Sequence, residues 1–238
     1  MYFLSVIIPL YNEEALIGEV VKQVCEVKLT SSVTQFEIII VDDCSTDGSY
    51  EKIQAISDLD TRIKILKHKT NRGKGAAVRT GIQSANGNIF LIQDADLELR
   101  PLDIPRMLDC MLELNVEFIN GSRYVAGVNR PLSSYKRYLA NRIFTSLTAV
   151  IINVKITDMA CGYKLIHKNL YEKITLKENR FGFEAELIIK ALRIKKNNIA
   201  EVPVSYFPRN EGEGKKLRNS DAIKILWTIF KYGLLKAN

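Results

Sequence analysis

The sequence predicts an α/β protein built on a mostly parallel sheet flanked by helices, and three observations support this prediction. Short β-branched apolar segments alternate with amphipathic segments over about the first 120 residues of the 238-residue chain. The predicted strands are apolar almost throughout, which is typical of parallel strands buried on both faces. The composition, 47% hydrophobic and 26% charged, is that of an ordinary globular protein. We therefore expect a single domain over residues 1–238.

The first half of the chain is expected to contain five strands and four helices in alternation. Apolar segments ended by polar residues or proline predict strands at residues 3–8, 36–41, 62–66, 89–93 and 116–120. Apolar residues at helical spacing predict helices at residues 13–27, 47–56, 75–85 and 101–114. In sheets of this kind ligands bind beyond the carboxyl ends of the strands, so functional residues are expected there.

The second half departs from this alternation and ends in amphipathic helices. The periodicity predicts a long helix at residues 134–154 and further helices at residues 183–195 and 220–234. The apolar stripe of the long helix comprises Tyr135, Leu139, Ile143, Leu147 and Ile151. A strand pair or one bent strand is expected at residues 199–207, and polar loops at residues 122–131 and 208–219.

Cysteine and histidine usage excludes several classes of protein. The 4 cysteines are far apart and only 2 histidines are present, which excludes a zinc finger and disfavours a disulfide framework. The amino terminus lacks a basic segment, so no signal peptide is expected. No apolar stretch approaches the roughly 20 residues of a membrane-spanning helix. We expect a reduced, cytoplasmic protein that is not integral to a membrane.

The positive charge of the chain is concentrated in two windows. The net charge is +7, yet residues 123–157 contain 6 cations and no acid, and residues 209–238 contain 7 cations and 3 acids. Local basic patches attract phosphate-bearing partners, which here leaves nucleic acid, anionic lipid and nucleotide as candidates. A solvated face without a partner is the alternative, and it fits the second window better than the first.

Acidic residues cluster at the ends of three predicted strands. These acidic residues are Glu13, Glu14, Asp42, Asp43, Asp47, Asp94, Asp96 and Glu98. Any one of them is explained by a helix cap or turn, as Asp47 before Gly48 would be. Gathered at one edge of a sheet, however, like charges repel, and a bound cation relieves that repulsion. The set therefore favours a cation site over eight unrelated turns.

The segment Asp94-Ala95-Asp96 is the strongest candidate for that cation site. It follows a buried strand directly, and two carboxylates one residue apart in an extended turn can reach the same ion. Hard oxygen ligands suit Mg²⁺ or Mn²⁺. Such an ion bridges a diphosphate and offsets the charge of a departing nucleotide.

Residues 71–77 resemble a phosphate-binding loop but match neither common motif. A Walker motif requires glycine where His68 stands, and a dinucleotide fingerprint requires glycine where Val78 stands. A helix start made of small residues remains, which suits either an anion or tight helix–sheet packing. No Gly-x-Ser-x-Gly segment is present and His68 has no triad partners, so hydrolase chemistry is disfavoured and His68 is expected in a surface turn.

Together these motifs resemble the family 2 inverting glycosyltransferases of GT-A (Rossmann-like) fold. The resemblance lies in residues 6–13, 41–48, 71–75 and 94–96. Later motifs resemble the polyprenyl-phosphate (dolichyl-phosphate) mannosyl- and glucosyltransferase branch. They lie at residues 121–123, 157–159, 162–164, 181–186, 201–204 and 209–216.

The resemblance implies a set of site residues. Those implied to bind the nucleotide sugar are Pro9, Tyr11, Glu13, Val41, Asp43, Lys74, Asp94, Ala95, Asp96, Arg123, Arg209 and Lys215. Asp94, Asp96 and Glu98 are implied to hold Mg²⁺ or Mn²⁺, although relatives often carry Gln at the Glu98 position. Asp96 and Asp158 are implied to be catalytic. Because a phosphate monoester is already an anion at neutral pH, we expect Asp158 to orient groups or act as a weak base.

The implied reaction moves mannose or glucose from a GDP- or UDP-hexose to a polyprenyl (dolichyl or undecaprenyl) phosphate with inversion. Residues 1–122 would bind the nucleotide sugar and residues 123–238 the acceptor. A glycan or another lipid as acceptor, and an inactive nucleotide-sugar-binding protein, remain alternatives. A nucleic-acid-binding module would share the basic windows but would not gather acids at three strand ends, so no nucleic-acid partner is expected.

Peripheral contact with the cytosolic face of a membrane is the last expectation. Tyr135, Phe144 and Leu147 would enter the lipid interface, while Lys136, Arg137 and Arg142 meet anionic head groups. A helix that packs on the core with its cations outside is the alternative. The helix at residues 220–234 is a second candidate through Trp227, Phe230 and Tyr232.

Overall fold

The computed structural model describes residues 1–125, 134–195, 198–209 and 219–235. The strands are β1 (Tyr2–Leu10), β2 (Val33–Asp42), β3 (Ile63–Lys67), β4 (Ile89–Ile92), β5 (Phe118–Ser122), β6 (Lys164–His167) and β7 (Ala200–Pro203). The helices are α1 (Glu14–Glu26), α2 (Ser49–Ser57), α3 (Lys74–Gln83), α4 (Ile104–Glu113), α5 (Tyr135–Ile152), α6 (Lys168–Tyr171), α7 (Gly182–Lys195) and α8 (Asn219–Gly233). A short 3₁₀ turn, Pro101–Asp103, precedes α4. Lys215 and most of the loops predicted at residues 122–131 and 208–219 lie outside the described residues.

One seven-stranded mixed sheet organises the protein, in the order β3-β2-β1-β4-β6-β5-β7. The strands β1 to β4 are parallel, as are β5 and β7, whereas β6 runs antiparallel to both of its neighbours. The predicted α/β class with a mostly parallel sheet is therefore confirmed. The parallel strands β1, β2 and β4 end at the same edge of the sheet, which brings their following loops together.

The sheet is covered by helices on both faces, with a separate core on each. On one face, alternate residues of β1 such as Leu4 and Val6 pack with Ile17 of α1 and Met107 of α4. On the other face, Ile7 belongs to a cluster with residues of α3, α7 and α8. This alternation follows from the two-residue period of a strand and explains why the central strands are apolar throughout.

The predicted strands and helices of the first half are all present, with ends shifted by one to three residues. In the second half, β6 and α6 are absent from the sequence prediction. The strand β6 has only 4 residues, and two of them, Lys164 and His167, do not indicate a buried strand. The segment predicted at residues 199–207 is one strand that ends at Pro203, followed by a single bridge between Tyr206 and Leu99.

The helix α5 reverses the usual arrangement of polar and apolar faces. It buries Asn141, Thr145 and Thr148 against the protein, while most of its apolar stripe faces outward. Tyr135, Leu139, Ile143, Leu147 and Val150 are exposed. The buried polar groups are used, since Asn141 Nδ2 donates to Asp158 Oδ1 and Thr145 Oγ1 accepts from Met159 N. The helix also packs on the core through Phe144, Ile151 and Ile152, so the alternative of a core-packing helix with its cations outside stays open beside the exposed apolar stripe.

The exposed apolar surface continues on α8, which contacts α5. Ile223, Trp227 and Phe230 are exposed, and the Trp227 and Phe230 rings stack with their centroids 5.8 Å apart. Tyr232, which we predicted at a lipid interface, is instead buried in the core because it lies on the opposite face of the helix. Its hydroxyl lies 3.1 Å from Glu178 Oε1. In the described residues, no helix is both long and apolar enough to span a bilayer.

Substituting Gly81 tests the close contact between α3 and the sheet. A Cβ at Gly81 would lie 2.5 Å from Ile7 Cγ2 and 3.3 Å from Val41 Cγ2, both within the core. We expect Gly81→Ala to lower the free energy of unfolding by about 1–2 kcal/mol, because overpacking outweighs the gain in helix propensity. Urea denaturation measures this change.

Gly18→Ala in α1 is the matched control. There the new Cβ would lie 3.0 Å from the Cε atom of Lys52, a flexible side chain that can move. The control should be neutral or stabilising, by up to about 1 kcal/mol. Equal stability of the two variants would contradict the packing described for α3.

Candidate active site

The eight acids at the strand ends fall into two groups, and the first group is structural. Asp47 accepts backbone N–H bonds from Ser49 and Glu14, at the starts of α2 and α1, with lengths of 3.0 and 3.2 Å. These bonds lower the pKa of Asp47 in spite of the opposing effect of burial. Glu14 Oε2 accepts from Gly48 N, and Asp42 Oδ1 accepts from Ser45 N. The interpretation of Asp47 as a helix-cap or turn residue is confirmed, whereas the buried Asp42 retains one carboxylate oxygen without a hydrogen-bond partner among the described residues.

Asp43 is the fourth structural acid, and its main partner is His68. The Asp43 carboxylate is almost fully buried and lies 2.6 Å from His68 Nδ1. It also accepts backbone N–H bonds from Arg72 and Gly73, and His68 Nε2 lies 3.0 Å from Thr80 Oγ1. The prediction of His68 in a surface turn is wrong, because this histidine fills the space between the loops after β2 and β3.

The amino-terminal end of α3 is packed against protein. A Cβ at Gly73 would lie 2.5 Å from the carbonyl oxygen of Asn179, and one at Gly75 would collide with that of Glu178. Gly73 has a φ of 95°, which favours glycine. The Ala76 N–H donates to Asn179 O, so this helix start already has an acceptor. Of the two open interpretations, tight packing is the one that the geometry supports.

The second group of acids lines a cleft beside two cations. Arg209 donates to both carboxylate oxygens of Glu13, at 2.8 and 3.3 Å, and its Nε donates to the carbonyl oxygen of Asp96. Glu98 accepts from the backbone N–H of Arg209 and from the hydroxyl of Tyr206. Arg209 thus ties the loops after β1 and β4 together.

Lys74 is the second of these cations. Its ammonium lies 2.6 Å from Asp94 Oδ1 and 2.7 Å from Glu184 Oε1. Burial lowers the pKa of Lys74, but the two carboxylates raise it well above its ordinary value. The lysine is therefore charged, and it holds Asp94 toward α7.

Asp96 experiences the repulsion that the sequence predicted. Burial together with the charges of Asp94 and Glu98 raises the pKa of Asp96 to about 7. Carboxylate oxygens such as those of Asp94, Asp96 and Glu98 are ligands that Mg²⁺ and Mn²⁺ prefer. A bound cation would relieve the repulsion among these three acids. Within residues 1–125, 134–195, 198–209 and 219–235, however, no three acidic, His or Cys side chains form a ready-made metal cluster. The residues fit a cation chemically, and binding it requires the Asp94 side chain to turn from Lys74.

Buried side chains support the Asp94–Asp96 turn. The Gln93 side-chain amide donates to the carbonyl oxygens of Asp94 and Leu99, and its oxygen accepts from the Tyr163 hydroxyl at 2.5 Å. Gly162 lies directly against the Asp94 carboxylate, because a Cβ at this position would collide with Asp94 Oδ2. Residues 162–163 therefore fix the position of the first acid of the turn.

Asp158 is fully buried and forms an ion pair with Arg123. The Asp158 carboxylate accepts from Arg123 Nε at 2.7 Å, from Arg123 NH2 at 2.9 Å and from Asn141 Nδ2 at 2.9 Å. Burial raises the pKa of Asp158, but the charge and hydrogen bonds of Arg123 lower it below its ordinary value. This geometry suits an orienting residue and disfavours a proton acceptor.

A network of buried polar groups supports the loop that carries Asp158. Lys164 is fully buried and donates to Asn120 Oδ1 and Cys161 O, at 2.6 and 2.7 Å. Asn120 in turn donates to Asp158 O and to Glu201 Oε1. The sequence motifs contain Asp158, Lys164 and Glu201 but not Asn120 or Cys161, and the spacing of these residues does not indicate that they form one network.

A cavity of about 390 Å³ opens beside Asp94 and extends between α5, α7 and α8. Its polar wall includes the acids Asp94, Glu98 and Glu184 and the cations Lys74, Arg123, Lys136 and Arg137. Phe144, Met159, Phe181, Tyr206 and Ile225 supply apolar and aromatic surface. Such a cavity suits a ligand that carries an anionic group next to an apolar one.

The structure places most of the predicted site residues around this cleft. Asp94, Ala95, Asp96 and Glu98 form one turn, with Lys74, Arg209 and Glu13 beside it. Pro9 and Tyr11 are half-buried near the end of β1, whereas the Val41 side chain is fully buried in the core. Lys215 lies outside the described residues, and Glu184 and Tyr206 were not predicted as site residues.

Comparison with known proteins identifies relatives over most of the chain. Residues 5–175 match the family model described as Glycosyl transferase family 2. A dolichol-phosphate mannosyltransferase of Pyrococcus furiosus is 29% identical over 95% of this chain and 62% of its own length. A dolichol-phosphate mannosyltransferase of Mycosarcoma maydis is 31% identical over 89% of this chain and 72% of its own. A dolichyl-phosphate beta-glucosyltransferase of Dictyostelium discoideum is 31% identical over 90% of this chain and 68% of its own. The chain thus spans less than two thirds of the Pyrococcus relative.

Solved structures support the fold. Glucosyl-3-phosphoglycerate synthase from Mycobacterium tuberculosis in complex with UDP superimposes with a TM-score of 0.73 over 97% of this chain and 79% of that chain, at 19% identity. The same enzyme with Mn²⁺, UDP-glucose and phosphoglyceric acid gives a TM-score of 0.72 over the same shares of the two chains. At this identity the likeness concerns the fold, and it agrees with the GT-A class expected from the motifs.

Substituting Gly162 tests the support of the acidic turn. Gly162→Ala introduces a methyl group that displaces the Asp94 carboxylate. We expect Mn²⁺ affinity, measured by EPR of the free ion, to fall about 10- to 100-fold, as for other changes behind metal ligands. Gly18→Ala is the control, and thermal melting checks folding. A folded variant with unchanged Mn²⁺ affinity would contradict this placement of Asp94.

Proposed function

Because the chain belongs to glycosyl transferase family 2, a family of nucleotide-sugar-dependent hexosyltransferases, we propose that it transfers a hexose to a polyprenyl phosphate. The donor in this proposal is UDP- or GDP-hexose, with glucose or mannose as the sugar. The main supporting observation is the cavity, whose lining combines the acidic turn at Asp94 with cations and aromatic side chains of α5 and its neighbours. The acidic turn suits a metal-bound diphosphate, and the cations suit a lipid phosphate.

In this proposal the turn after β4 holds a divalent cation on the donor diphosphate. Asp94 and Asp96 would be its ligands, with Glu98 beside them, and the ion would offset the charge of the leaving nucleotide. Glu13, with Pro9 and Tyr11, faces the base and ribose, while Arg209 and Lys215 bind phosphate oxygens. Asp43 is expected to act mainly through the loop at residues 71–73, since its carboxylate is already bound to that loop's backbone.

Arg123 is proposed to position the acceptor phosphate. Its guanidinium is fixed by two bonds to Asp158, and it lies 5.0 Å from the centre of the Tyr206 ring. A phosphate monoester, with a second pKa of about 6, attacks as an anion and needs no strong base. Asp158 is therefore assigned the role of holding Arg123. Residues 1–122 carry most of the donor site and residues 123–238 most of the acceptor site.

Asp96→Asn tests the proposed reaction. The substitution removes a metal ligand but retains the oxygen that accepts the Glu98 N–H bond, so the fold should persist. We expect transfer of labelled glucose or mannose from UDP- or GDP-hexose to dolichyl or undecaprenyl phosphate to fall at least about 100-fold. The surface variant Asp58→Asn is the control. Transfer at the wild-type rate by Asp96→Asn would exclude the metal role, and failure of every donor in the wild type would exclude the reaction.

We also propose that α5 and α8 contact a membrane surface around the mouth of the cavity. The exposed side chains of Ile143, Leu147 and Trp227 supply apolar area, and the exposed Lys136 and Arg137 lie on α5. An apolar face rimmed by cations is the pattern of an interfacial helix. This placement would let the phosphate of a membrane-embedded acceptor reach the cavity, at the cytosolic face of the membrane.

Flotation with vesicles that contain anionic phospholipid tests this contact. The wild type should float with the vesicles, less so at high salt because the Debye length shortens. Trp227→Glu should reduce flotation severalfold, since it places a charge in the apolar face. Leu59→Glu, at a leucine that is 88% exposed outside α5 and α8, is the matched control. Equal flotation of both variants would exclude α8 from the contact.

A further inference from the structure

Tyr206 lines the cavity and has no role in the proposal so far. The residue is buried and belongs to the same core cluster as Leu99. Its hydroxyl group donates to Glu98 Oε2 at 3.1 Å, and the Arg123 guanidinium lies 5.0 Å from the centre of its ring. Tyr206 therefore contacts both a residue beside the proposed metal site and the cation proposed to bind the acceptor phosphate.

The backbone around Tyr206 is fixed to the turn after β4. Tyr206 forms a backbone bridge with Leu99, and the Glu98 carboxylate accepts a second bond, at 3.1 Å, from the Arg209 N–H. The N–H of Glu98 itself donates to Asp96 Oδ1 at 3.0 Å. A displacement of Tyr206 would therefore be passed through Glu98 to Asp96.

Arg123 is held by two different kinds of partner. The Asp158 carboxylate accepts from its Nε and NH2 atoms at 2.7 and 2.9 Å. The ring of Tyr206 adds a second contact, because a cation within about 6 Å of an aromatic ring centre is attracted by the electrons of that ring. Tyr206 thus contributes to the position of Arg123 through its ring and to the position of Glu98 through its hydroxyl.

The hydroxyl of Tyr206 is the part of the residue that packing does not explain. A phenylalanine would fill the same space in the core, but it has no group that can bind the Glu98 carboxylate. A tyrosine keeps its proton at neutral pH, since its ordinary pKa is about 10, so this hydroxyl acts as the donor to Glu98. Glu98, Tyr206 and Arg123 therefore form one continuous series of side-chain contacts along the cavity.

We propose that Tyr206 is a positioning residue that fixes Arg123 relative to the Asp94–Asp96 turn, and so holds the acceptor phosphate in line with the donor. This inference rests on the proposed function, because it concerns the arrangement of the two substrate sites in that function. Displacing reacting groups by about 1 Å can slow a reaction roughly 100-fold. Loss of the Tyr206 hydroxyl should therefore slow transfer between bound substrates and leave binding of the nucleotide nearly unchanged.

Kinetics of Tyr206→Phe test the inference. The substitution keeps the ring beside Arg123 and removes the hydroxyl that binds Glu98. For transfer of labelled hexose to dolichyl or undecaprenyl phosphate, we expect kcat to fall about tenfold or more. The Kd of the nucleoside diphosphate in saturating Mn²⁺, measured by titration calorimetry, should change less than about twofold. Tyr50→Phe on α2, whose ring also lies beside a lysine, is the matched control and should keep the wild-type kcat.

A double-mutant cycle with Glu98→Ala separates this role from a general support of the fold. Because Glu98→Ala already breaks the bond, adding Tyr206→Phe should lower kcat less than about twofold further. Rates are referred to the folded fraction seen in thermal melting, and if Tyr206→Phe does not fold, Glu98→Ala carries the test with the same fall in kcat. An unchanged kcat in Tyr206→Phe, a matching loss of nucleotide affinity, or independent effects of the two substitutions would overturn the inference. A wild type that transfers no hexose would instead refute the proposed function itself.

Discussion

This site depends on one constraint. The parallel strands bring several carboxylates to one edge of the sheet, and their charges must be neutralised. The protein meets it in three ways. Asp43 and Asp47 are bound by His68 and by backbone N–H groups. Glu13 is paired with Arg209, and Asp94 with Lys74. Asp96 keeps a pKa of about 7, since burial and the nearby Asp94 and Glu98 outweigh the effect of Arg209. The residual charge at this turn is what a divalent cation would balance.

The internal cations link this electrostatic problem to substrate binding. Lys74 and Arg209 neutralise acids in the protein as described, and the motifs implied that both bind the nucleotide sugar. If a divalent ion binds Asp94 and Asp96, Lys74 loses one of its two carboxylate partners and becomes available to the nucleotide sugar, so metal and donor would each favour binding of the other. The reversed helix α5 adds to this arrangement, because its buried Asn141 and Thr145 hold the Asp158 loop while its apolar side faces outward.

Local sequence patterns predicted the parallel half of the fold and the turn at Asp94, because continuous apolar strands and their polar ends are both properties of contiguous residues. Features that depend on contacts between distant residues were not predictable in this way. His68 meets Asp43 across 25 positions and Lys74 meets Glu184 across 110, and no spacing rule indicates either pair. Strand β6 was not predicted, because its Lys164 is buried through hydrogen bonds to Asn120 and to loop carbonyl groups. The sequence showed the helical period of the apolar stripe of α5, but it did not indicate that most of this stripe faces outward.

The central claim is that a divalent ion bound at the Asp94–Asp96 turn carries the diphosphate of a nucleotide donor. A crystal structure with Mn²⁺ and UDP or GDP, with manganese located by its anomalous scattering, tests it most directly. We expect one manganese peak bonded to carboxylate oxygens of Asp94 and Asp96 and to the diphosphate, with Lys74 moved from Asp94. A nucleotide bound elsewhere, or a bound nucleotide with Asp94 still paired to Lys74 and no manganese at the turn, would contradict the account.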